Sequence, residues 1–153
     1  QGPRDVLRHP AVELNPHPWF GLGPEQVRIQ FDRWVPEDIP RPLPRGWYGH
    51  LHSIYIHYAA ERGIPTALAL LWLLGKVLWD FLAAVRRLPP GRSEAKFLLH
   101  GAIAVVAAIL VYGFFELNLG DSEVLTMFLA VVAAGYSARD AAAEEGRLRP
   151  EAA

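Results

Sequence analysis

The sequence predicts an all-α integral membrane protein: an irregular, proline-rich external loop with one short helix, then three transmembrane helices belonging to a larger multi-span bundle. Three observations carry that prediction. Hydrophobic residues make up 52% of the 153 positions, but the long apolar runs all lie after Gly63. Nine of the 13 prolines fall within the first 45 residues. Two later segments run for 22 residues with no more than two formal charges each, unlike a soluble domain in which apolar and polar positions alternate throughout.

Composition also excludes several classes. A net charge of -1 removes nucleic-acid binding by bulk charge. The absence of Cys removes a disulfide framework, a thiolate metal site and a cysteine nucleophile. Gln1 is not an initiator, and Pro3, Arg4, Asp5 and Arg8 interrupt any signal-peptide pattern, so the chain is expected to be a piece of a longer one.

Residues 1–63 form the external part. Pro36, Pro40, Pro42 and Pro44 deny a long helix in its first 49 residues, while Trp19, Trp34 and Trp47 suit a membrane interface, where an amphipathic ring sits half in water. The pattern turns helical over about 50–62, with Leu51, Ile54, Tyr55 and Tyr58 on one broad face. Gly63 offers a C-cap, and Pro65 suits the first turn of the next helix.

The first membrane span is predicted over 64–85, with Lys76 and Asp80 its only charges, and the second over 97–118, with Glu116 alone. At about 1.5 Å per residue, either crosses a hydrocarbon layer roughly 30 Å thick. The third, 122–138, is shorter; Ala133, Ala134 and Gly135 offer a small-residue surface for packing on its neighbours. Arg86, Arg87, Arg92 and Lys96 outweigh Glu94 in the connection after the first span, so that connection is expected to be cytoplasmic. The turn at Gly120 and Asp121 then lies outside, and 139–153 returns as a disordered cytoplasmic tail. Residues 1–63 are thereby external, their seven Arg offset by seven acidic residues. Lys76 and Asp80 share a helical face and neutralise one another, which reads as a structural pair rather than an ion relay.

His50, His52 and His57 stand within eight residues. One reading is a metal site completed by Glu61. On a helix, however, residues two apart point about 200° from each other, so no metal or cofactor is expected. A second reading is a general base, since an imidazole can take a proton from a hydroxyl near neutral pH; the third, which spacing alone favours, is interfacial histidines with no chemical role. His57 and Glu61, four apart, can pair. Glu116, Asp121 and Glu123 crowd the external turn, with Ser122 placed to cap the last helix.

His52-Ser53, followed after nine residues by Gly63-Ile64-Pro65-Thr66, resembles the signature of the O-antigen ligase family. Thr66 stands where a second Gly is usual, a departure that bears on helix packing. Pro18-Trp19-Phe20-Gly21-Leu22-Gly23-Pro24 is similar to the opening of that family's last large periplasmic loop. Gly113 to Glu123 is similar to its late periplasmic turn. The resemblance spans roughly 16–138.

What the resemblance implies is the C-terminal part of a glycosyltransferase of the bacterial cytoplasmic membrane, multi-pass and working on the periplasmic face. Such enzymes move a glycan from undecaprenyl diphosphate to an acceptor hydroxyl on lipid A-core, a growing glycan or a protein, with inversion and without a metal. His52 takes the base role. Arg28, Arg33, Arg45, Arg62, His50 and Ser53 are candidates to bind substrate, with His57, Glu61, Gly63, Glu116 and Asp121 in support. The remaining partners are membrane lipids, and no nucleic acid is expected. The alternative is a membrane transport or metal-handling protein built on His50, His52 and His57.

Overall fold

The computed structural model describes residues 18–33, 35–43, 50–91 and 93–148. Among these there is no strand. The helices are α1 (Gln26–Gln30), α2 (Ile54–Arg62), α3 (Ile64–Arg87), α4 (Glu94–Tyr112) and α5 (Ser122–Leu148). Single 3-10 turns lie at Phe31–Arg33 and Asn118–Gly120. Three helices, α3, α4 and α5, are long and apolar enough to cross a membrane. Only 17% of the most apolar stretch of each is buried within the chain, so most of their hydrophobic surface is left for lipid or for other helices.

The boundaries differ from the sequence-based expectations for local reasons. Helix α2 begins at Ile54 rather than 50, because Ser53 is extended (φ -157°, ψ 123°) and its carbonyl accepts the first helical bond, from His57 N–H. Helix α4 starts three residues early, where Ser93 Oγ accepts the Lys96 N–H at 3.2 Å as an N-cap. It ends at Tyr112, so residues 113–118 leave the expected helical span, 113–115 as turn and 118 in the 3-10 turn. Helix α5 runs to Leu148 where a disordered tail was expected, since Ala141, Ala142 and Ala143 continue it with the best helix former. Its cap is not Ser122: Asp121 Oδ1 accepts the Glu123 N–H at 2.9 Å. Trp34, Trp47 and residues 149–153 lie outside the described residues.

The chain forms two compact units. The first comprises residues up to Leu70 together with Gly113–Leu117. In it, the strip 18–23 lies against the C-terminal end of α2. Leu22 N–H donates to Ala60 O (2.8 Å), Gly23 N–H to Glu61 O (2.9 Å) and Ile64 N–H to Pro18 O (2.8 Å). Two glycines permit this approach. A Cβ on Gly21 (φ +69°) would meet the backbone of Glu61 and Arg62, and one on Gly63 (φ +85°) the backbone of Trp19 and Phe20. Gly63 also caps α2, its N–H donating to Ala59 O. Val27 and Ile54 are fully buried.

The second unit comprises Leu71–Tyr112 and the chain from Asn118 onward. Here α4 packs along α5, with Leu74, Phe81, Leu99 and Val106 buried. Of the three small residues expected to pack, only Gly135 is buried; Ala133 and Ala134 are exposed. A Cβ at Gly135 would lie 2.6 Å from Phe81 Cζ. Lys76 Nζ donates to both Asp80 carboxylate oxygens at 2.6 Å, and Tyr136 O–H donates to Asp80 Oδ2 at 3.1 Å. The pair is therefore tied to α5 by a third group.

Candidate functional site

The histidines lie where a non-helical segment meets a helix. Because α2 starts at Ile54, His50 and His52 precede it, and the helical argument that held them apart fails. Their rings come together with centroids 4.9 Å apart. On non-helical backbone, residues two apart face the same side.

A third side chain joins them from the turn after α4. Gly113 O accepts two hydrogen bonds, from Ile54 N–H at 2.9 Å and from Ser53 Oγ at 3.2 Å. Phe114 stacks on Tyr55 with centroids 4.8 Å apart. Those contacts fasten the segment 113–117 to the N-terminus of α2 and set Glu116 Oε2 3.5 Å from His52 Nδ1. The other carboxylate oxygen, Oε1, accepts the Leu117 N–H at 3.3 Å, which fixes the carboxylate's orientation. Ligand-type atoms of His50, His52 and Glu116 all lie within 4.8 Å of one another. His52 and Glu116 keep 56% and 45% of their side-chain surface exposed, so a hydroxyl from solvent can reach the imidazole.

His57, half-buried, pairs with the buried Glu61. Glu61 Oε2 is 3.5 Å from His57 Nε2, and its Oε1 accepts the Val27 N–H at 3.3 Å. Burial pushes the His57 imidazole below its ordinary range, against the opposing pull of the Glu61 charge; His50 and Arg62 add to the lowering. His57 Nδ1 is buried without a hydrogen-bond partner. This couple props the loop 18–27 on α2, and His50 still acts on it electrostatically. The three side chains that come together as potential ligands are His50, His52 and Glu116; His57 is not one of that group.

The remaining candidates separate into two groups. Ser53 is buried and its hydroxyl is committed to Gly113, so it positions the turn instead of meeting substrate. Gly63 acts through backbone geometry, and Asp121 caps α5. Arg28 is exposed and paired with Glu25 at 2.8 Å. Arg33 is exposed on its 3-10 turn, and Arg62 is exposed with its guanidinium 5.3 Å from the Tyr58 ring centroid. Arg45 lies outside the described residues. The pairing of Glu116 with His52 was not foreseen. The available signal was Gly113, a helix-ending residue three positions before the acid.

No family model, curated protein or solved structure matches the chain.

Proposed function

We propose that this chain is the C-terminal part of a membrane glycosyltransferase of the O-antigen ligase type. It would pass a glycan from undecaprenyl diphosphate to an acceptor hydroxyl on the periplasmic face, with His52 as general base. The observation that carries the reading is the exposed His52 imidazole with the Glu116 carboxylate 3.5 Å from its Nδ1. With its Nδ1 proton turned toward Glu116, the ring keeps its Nε2 lone pair for an acceptor, and the carboxylate stabilises the imidazolium that forms. The three long apolar helices are compatible with a membrane setting.

The step balances simply. The acceptor O–H gives its proton to Nε2, and its oxygen attacks the anomeric carbon. The bond from that carbon to the diphosphate oxygen breaks, and undecaprenyl diphosphate leaves with the electron pair. The leaving group is already good, so alignment and proton acceptance are what the protein must supply. Arg62 and Arg33, both exposed in the same unit, are the charges available to the diphosphate from this part of the chain.

In the full-length parent, His52→Ala should lower transfer by about 10²–10⁴-fold, the usual worth of a general base, with the protein still in the membrane. Glu116→Gln should lower it less, because it removes the orienting group and leaves the base. Transfer by His52→Ala at the wild-type rate would eliminate the proposal.

A further inference from the structure

We infer that His50, His52 and Glu116 together form a binding site for a single Zn²⁺ ion. Two imidazoles and one carboxylate are the three-ligand set of zinc sites that keep a fourth position for water or another ligand. The three ligand-type atoms lie within 4.8 Å of one another. Around a tetrahedral ion with bonds of about 2.0–2.1 Å, ligand atoms stand about 3.3 Å apart. The contraction needed is at most about 1.5 Å, and these partly exposed side chains can supply it by turning.

The surroundings favour the site in two ways. Metal-binding histidines commonly donate their second ring N–H to a carbonyl, and His50 Nδ1 lies 3.5 Å from Leu51 O. With the proton on Nδ1, the other ring nitrogen keeps its lone pair. Glu116 is held by the Leu117 N–H through Oε1, leaving Oε2 on the histidine side. The two chain segments that meet here are already joined through Gly113 O, so an ion need not bear the entropy of bringing them together.

The inference concerns binding and stands apart from the transferase reading. One consequence does rest on that reading: a neutral imidazole has one basic lone pair, so His52 bound to zinc through either nitrogen cannot also accept a proton, and zinc and transfer would exclude one another.

The test is a titration of the full-length protein in detergent micelles with Zn²⁺ alone, against a chromophoric chelator. One ion per chain is expected to bind, and His50→Gln, His52→Gln and Glu116→Gln should each weaken it tenfold or more. His100→Gln, exposed on α4 in the second unit, should leave it unchanged. A second measurement guards against misfolded variants: in the wild-type protein, Zn²⁺ should slow amide hydrogen exchange over 113–117. Absence of stoichiometric binding, equal affinity in all four variants, or unchanged exchange over 113–117 would each overturn the site. None of these readouts involves glycan transfer, so a negative result here leaves the proposed reaction standing.

Discussion

The approach of the strip 18–23 to the end of α2 is the contact most exposed to a single methyl group. Gly63 occupies φ +85°, ψ 161°, a region other residues enter only at about 1–3 kcal/mol of strain. A Cβ there would collide with the Trp19 carbonyl and come within 2.9 Å of Phe20 N. Both atoms belong to backbone, so relief requires the strip to move. The first bond lost is Ile64 N–H to Pro18 O, 2.8 Å, worth about 0.5–1.5 kcal/mol net. Strain and one bond together cost about 1.5–4.5 kcal/mol, before the bonds of Leu22 and Gly23 are counted. Gly63→Ala should therefore release residues 18–27 from α2 while the long helices persist. Amide exchange at Leu22, Gly23 and Ile64 should accelerate by about 10- to 10³-fold, since each 1.4 kcal/mol is a factor of ten. Gly75→Ala is the control: nothing lies within 4 Å of a Cβ there, and a helix interior gains about 1 kcal/mol from Ala. Wild-type protection in Gly63→Ala would mean that the strip does not pack on α2 as described.

Three further outcomes can be measured. Burial holds the His57 pKa below its unfolded value of about 6.5, so the unfolded chain binds more protons just below that pH. Stability is full above about pH 6.5 and falls on acidification toward the lowered folded value; thermal melts should show this slope, and His57→Gln should flatten it. A stability that rises on acidification would mean that the Glu61 charge outweighs burial. Ser53→Ala removes one of two donors to Gly113 O and should cost about 1 kcal/mol in denaturant titration, because the Ile54 N–H still serves that carbonyl. Gly135→Leu drives a side chain into fully buried Phe81 and should lower the melting temperature with a cost of about 1–3 kcal/mol, whereas Ala133→Leu on the exposed face should not.

Much of the helical framework was legible because its causes are local. Long apolar runs mark α3 and α4 by themselves, and Gly63-Ile64-Pro65 announces one helix ending as the next begins. The i, i+4 spacing of His57 and Glu61 gave their pairing, and that of Lys76 and Asp80 gave theirs. What failed was the reading of ends. Periodicity could not distinguish residues 50–53 from the first turn of α2, because Leu51 and Ile54 continue the apolar pattern across the real boundary. Apolar character likewise carried the second span past Tyr112, since Phe114, Phe115 and Leu117 are as hydrophobic as the helix before them.

Both errors bear on the same site, and correcting them changes its chemistry. If residues 50–53 were helical, His50 and His52 would diverge; if α4 continued to Asn118, Glu116 would be one more helical side chain. Ending both helices brings two imidazoles and a carboxylate to one place, and the tie is a single carbonyl, Gly113 O, bonded to Ser53 and Ile54 across 60 residues of sequence. No local pattern encodes a bond of that separation. The cluster is thus a product of where helices stop, and its geometry is only as firm as those two hydrogen bonds and the Tyr55–Phe114 contact beside them. Any substitution that lets α4 wind one turn further, such as Gly113→Ala, should draw Glu116 away from His52. It should weaken the proposed zinc binding and the proposed glycan transfer together, as read by chelator titration and a transfer assay, although residue 113 has no side chain to offer either one.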